Sequence, residues 1–186
     1  MFKLLASTSA LFLLSACAGL PVVAPNDVRS SYLPSELSAS AGIAPIGVSV
    51  RGRPFGLSDQ AAAGAIAPLL PTSGPTAGKF AAAAGPTDKA THHLVFNFAA
   101  ASDESAEETC QGGRAGGGTA APGDRIVAQA ALCLGVSPMS WAVGRVDQAT
   151  GVDSPAFKSL IDRMGSLLMP NETPGNRGEV GNRLIN

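Results

Sequence analysis

The sequence predicts a small α+β domain in which a mostly antiparallel sheet of about four strands is covered on one face by two helices. Three observations carry this. Leu94, Phe96 and Phe98 alternate with His93, Val95 and Asn97, the period-2 pattern of a strand. "RIVAQAALCL" and "MSWAVGRVDQ" flank Gly135-Val136-Ser137-Pro138, which reads as a hairpin. Phe157, Leu160, Ile161, Met164, Leu167 and Leu168 recur at helical spacing and form one apolar stripe.

The elements follow in order. Ile46, Val48 and Val50 alternate with Gly47, Ser49 and Arg51, giving a first strand. In "GLSDQAAAGAIAPLLP", Ser58 or Asp59 caps a helix that Pro68 stops. Residues 71–91 read as loop, with one alanine-rich turn around Phe80. The strand "HHLVFNFA" follows, then an acidic and glycine-rich insertion over residues 101–124, then the hairpin. The last helix has Ser154 as N-cap, Pro155 in its first turn and Pro170 at its end. The expected order is β-α-β-β-β-α over residues 45–170, with residues 171–186 as a disordered tail.

Composition limits the function classes. Of 186 residues, 45% are hydrophobic but only 5% aromatic, so the core is thin and alanine-rich. The formal net charge of −1 leaves no clustered Lys and Arg to neutralise phosphates, so nucleic acid is not an expected partner.

The N-terminus points to a compartment. Lys3 precedes an apolar stretch over residues 4–14, followed by Leu14-Ser15-Ala16-Cys17. The stretch is about half of the roughly 20 residues that span a bilayer, which fits a cleaved signal over residues 1–16. "LSAC" resembles the lipobox of bacterial lipoproteins. The resemblance implies that the Cys17 thiol carries a diacylglycerol, that the chain is cut before Cys17 and that the new amine is acylated. Two or more acyl chains make a stable anchor. Ala18, where an inner-membrane lipoprotein commonly has Asp, implies the outer membrane with the domain facing the periplasm. Pro21, Pro25 and Pro34 interrupt residues 18–44, so residues 17–44 read as the lipidated cysteine and a flexible tether reaching roughly 30 Å.

With Cys17 lipidated, Cys110 and Cys133 are left as a pair. In an oxidising envelope compartment they read as a disulfide, with free thiols or a metal site as rivals. His92 and His93 read as a solvated strand entry. As strand neighbours they point to opposite faces, so only one could join a given metal site, and no zinc-module spacing is present. "GGRAGGGTAAPG" lacks the ending of a phosphate loop, and Asp103, Glu104, Glu107 and Glu108 lack the alternating ligands of a calcium loop. Trp141 reads as core, packed on Phe157 or Phe96, or, if exposed, as a binding anchor.

No catalytic motif, metal set or cofactor motif emerges. The leading expectation is a non-catalytic accessory or assembly factor that binds another envelope protein. Its layout resembles small proteobacterial envelope lipoproteins, including auxiliary lipoproteins of lipid-transport systems, in element order alone. One alternative is a carrier of lipid or peptidoglycan fragments, with a pocket lined by Phe96, Phe98, Leu160 and Met164. The other is an envelope hydrolase using His92 or His93, which requires an imidazole within hydrogen-bond reach of a Ser or carboxylate in a cleft.

Overall fold

A computed structural model describes residues 20–85, 91–114 and 121–173, with the backbone alone at Pro25 and Asn26. Strands β1 (Val22–Val28), β2 (Ile46–Arg51), β3 (Phe80–Ala82), β4 (His92–Asn97), β5 (Ile126–Leu134) and β6 (Ser137–Val146) are joined in the order β1-β6-β5-β4-β2-β3. Helices α1 (Pro34–Ile43), α2 (Asp59–Ile66), α3 (Ala106–Cys110) and α4 (Pro155–Leu168) complete the fold. The class is α+β, as expected, but the sheet is mixed. The pairs β1/β6, β6/β5 and β5/β4 are antiparallel, whereas β2 runs parallel to both β4 and β3.

Two elements, β1 and α1, stand where a tether is expected before residue 45. Residues 22–44 belong to the domain and are not a tether. Pro25 is accommodated because β1 lies at the edge of the sheet, and the register shifts between Pro25 and Asp27. Pro34 is accommodated because it opens α1, where its missing N–H has no helical partner to lose. Leu37 and Ala41 carry α1 into the core. A third correction falls at Phe80, which begins the short parallel strand β3 rather than an alanine turn.

The first face of the sheet carries the main core. Val48, Leu94, Phe96, Ile126, Ala128, Ala130, Leu132 and Ala142 are buried there with Ile66 of α2 and Phe157, Leu160, Ile161, Met164 and Leu168 of α4. Burying each of those large α4 side chains contributes about 2 kcal/mol. Ser154 caps α4 by accepting from the Phe157 amide at 3.4 Å. Ser58 caps α2 by accepting from the Ala61 amide at 3.2 Å. Close approach of α4 depends on two glycines. A Cβ on Gly144 of β6 would lie 2.6 Å from Leu160 Cδ1 and 2.7 Å from Met164 Sδ, and one on Gly165 would lie 2.5 Å from Pro71 Cδ.

Helices on one face alone were expected, but the second face has its own cover. Val95, Ala131, Cys110 and Cys133 form a smaller buried cluster there, beneath α3, with Trp141 packed against it. Among the described residues no helix is long and apolar enough to cross a membrane. Cys17, Ala18 and the signal segment lie outside the described residues, as do residues 174–186 of the expected tail.

Candidate functional site

The second face owes its shape to the segment that the sequence offers as an acidic and glycine-rich insertion. Cys110 is disulfide-bonded to Cys133, with Cα atoms 5.7 Å apart, so α3 is stapled to β5. A capping box starts α3: Ser105 Oγ accepts from the Glu108 amide at 3.2 Å, and Glu108 Oε2 accepts from the Ser105 amide at 2.8 Å. The Ser105 backbone bond, helped by Arg114, holds the Glu108 carboxyl below its ordinary range.

Glu104 is the segment's centre. Although it lies in the acidic stretch of the expected insertion, it is 4% exposed. Asn97 Nδ2 donates to both of its carboxylate oxygens at 2.9 Å, Thr109 Oγ1 donates to Oε1 at 2.9 Å, and the Arg114 amide donates to Oε2 at 3.2 Å. Gln129 Nε2 donates to its main-chain carbonyl at 2.9 Å. Gly113, at φ 71°, passes so close that a Cβ would lie 2.5 Å from Asn97 Nδ2. A buried carboxylate is tolerable only when its acceptor positions are filled in this way. Strand alternation places Asn97 and Gln129 on the second face, and the capping-box spacing Ser105–Glu108 is the one signal in the sequence that could have located α3.

Trp141 is corrected from the main core to this face. Its neighbour Ala142 points into the first face, so alternation sends the indole the other way, opposite Ala131 in the β5–β6 register. The indole stays half-buried and forms one wall of a groove of about 210 Å³. Its other lining residues include Asp27 at the end of β1, Arg29 just past it, Ala106 and Glu107 of α3, and Pro138. Arg29 is ion-paired with Glu107 across the rim. The groove therefore offers an aromatic face, one guanidinium and two carboxylates on a scaffold held by a disulfide.

The two histidines are also corrected, because neither is a solvated strand entry. His92 is half-buried, and its Nδ1 lies 2.7 Å from Ser40 Oγ of α1. Glu36 stands one helical turn before Ser40. Burial lowers the His92 pKa, with His93 acting in the same direction and Glu36 opposing. His93 is 4% exposed and faces Cys133 across the ladder. Its Nδ1 is 3.3 Å from the Thr91 carbonyl, which can only accept, so Nδ1 carries the proton and Nε2 is left as an acceptor. That Nε2 is buried with no hydrogen-bond partner among the described residues, and burial lowers the pKa of this ring too.

The residues expected to line a carrier pocket pack in the main core instead. Phe96 stacks on Phe98 at a centroid separation of 6.4 Å, Phe98 on Phe157 at 5.8 Å, and Leu160 and Met164 are fully buried in the same cluster. Among the described residues no group of three or more His, Cys, Asp or Glu is placed to hold a metal ion. Compared with known proteins, the chain matches no family model, no curated protein and no solved structure.

Proposed function

We propose that this chain is an outer-membrane lipoprotein, anchored through Cys17, whose domain faces the periplasm and binds another envelope protein without itself catalysing a reaction. The supporting observation is the Trp141 groove. A lone tryptophan half-exposed beside an arginine, on a rigid stapled surface, has the composition of an interaction hot spot. The lipobox-like "LSAC" supports the anchor. The test is site-specific photo-crosslinking from Arg29 in the native envelope, with and without Trp141→Ala. The reading expects one dominant adduct that Trp141→Ala abolishes while the disulfide stays formed. Adducts unchanged by Trp141→Ala would contradict it.

A second reading, an envelope hydrolase, is favoured by the 2.7 Å approach of Ser40 Oγ to His92 Nδ1. In that reading His92 takes the Ser40 proton as the hydroxyl attacks an acyl carbonyl. It expects a fluorophosphonate probe to label the native protein but not the Ser40→Ala variant. No labelling of the native protein would remove this reading.

A further inference from the structure

The geometry points to a second interaction surface: the corner of the domain around Leu20, Val22, Val127 and Arg145 rests on the phospholipid bilayer surface. This inference rests on the lipid-anchor reading of Cys17.

Three observations converge. Val22 and Val127 both pair with Arg145, one through the β1–β6 ladder and the other through the β5–β6 ladder. Cross-strand partners project to the same side of a sheet, so these three side chains form a row on the second face. α3 covers the part of that face around Val95 and Ala131. The row itself stays open: Val22 is 54% exposed, Val127 is 47% exposed and Arg145 is exposed. Leu20, two residues before β1, is 77% exposed.

The same corner continues into an open groove of about 540 Å³ between the start of β1 and α4. Pro21, Val23 and Leu167 give it apolar walls, and Arg163 stands at its side, donating to the Pro21 carbonyl at 2.9 Å. Apolar side chains beside two guanidinium groups suit a surface that presents phosphates above hydrocarbon. Among the described residues, Asp162 adjoins Arg163 in α4 and is exposed, and Asp147, two residues beyond Arg145, is paired with Arg125.

Chain length identifies the occupant. Leu20, the first described residue, lies on this patch, and β1 and α1 take residues 22–43 into the fold, so the expected 30 Å reach does not separate the domain from its anchor. Three residues from Cys17 to Leu20 extend at most about 11 Å. The polar layer of one leaflet is itself roughly 5–8 Å thick. An acylated Cys17 at the hydrocarbon boundary therefore holds Leu20, and with it the open row, within a few ångströms of the headgroups.

The lipidated protein, purified from membranes and reconstituted into phosphatidylethanolamine/phosphatidylglycerol vesicles with brominated acyl chains, tests this. A Val127→Trp reporter in a Trp141→Phe background is compared with Leu33→Trp, which sits at the start of α1. In parallel, hydrogen exchange of residues 20–24 and 126–128 is followed in the unsubstituted protein, with vesicles and in detergent. Acyl labelling and vesicle flotation are scored first. The inference expects loss of emission from the residue-127 reporter alone, and slowed exchange on vesicles. A protein that is acylated and floats, yet shows equal emission from both reporters and unchanged exchange, overturns the docking and leaves the anchor standing. A protein that is neither acylated nor floating overturns both.

Discussion

Cys110 is bonded to Cys133 on the sheet face opposite α4, so the staple joins the five-residue helix α3 to a central strand of the sheet. Their separation of 23 residues corresponds, in the chain-entropy description, to about 3 kcal/mol of stabilisation. Replacing both by alanine is expected to lower urea-unfolding stability by about that amount. It should also loosen α3 before β5, which hydrogen exchange would resolve. Equal protection of α3 in the two proteins would show that the Glu104 network suffices alone.

Removing the Glu104 carboxylate strands buried donors. Glu104→Ala leaves Asn97 Nδ2 and the Arg114 amide without their acceptor and Thr109 Oγ1 with the Ser105 carbonyl alone, and should cost about 3 kcal/mol in chemical denaturation. Glu104→Gln keeps one acceptor oxygen and should cost less. An alanine variant as stable as the native protein would mean that the segment is held by the disulfide and cap alone.

These two features mark the limit of what the sequence shows. β2, β4, β5, β6, α2 and α4 are legible because each has a clear apolar period or a cap. β1 and α1 are not, since their prolines are read as breakers when one sits on an edge strand and the other at a helix start. α1 is also rich in serine and alanine, so its buried Leu37 and Ala41 leave almost no periodic signal. Glu104 is illegible because its donors come from residues as far away in sequence as Asn97 and Arg114. For Trp141 the reason is simpler: a lone aromatic reads either as core or as an exposed anchor, and strand alternation with Ala142 decides the face. The paired cysteines, in contrast, follow from the compartment that the N-terminus implies.

Gly144→Ala probes the packing of α4 on β6. The added methyl meets Leu160 and Met164 inside the core, where neither can move freely, so the substitution should cost about 1–3 kcal/mol. The readout is the urea midpoint at constant slope. A neutral result would show that α4 can shift outward without loss.

Stability should fall under mild acid. Burial lowers the pKa of both His92 and His93 below the ordinary histidine value, so the unfolded chain binds protons more readily than the folded one. Unfolding free energy then rises with pH between the two sets of pKa values, and is lost as pH falls below about 6.5. Urea titrations at a series of pH values check this, and His93→Gln should flatten the profile. A native profile that is flat from neutrality to mild acid would contradict the burial of these rings.

The account stands or falls on the proposed anchor, because a lipidated Cys17 would set the compartment and bring the domain to the membrane. Metabolic labelling with an alkyne fatty acid, on the full chain and on Cys17→Ala, measures it directly. The account predicts label in the outer-membrane fraction for the native chain, and neither label nor membrane retention in that fraction for Cys17→Ala. Equal labelling of the two chains, or no label in the native chain, would contradict it.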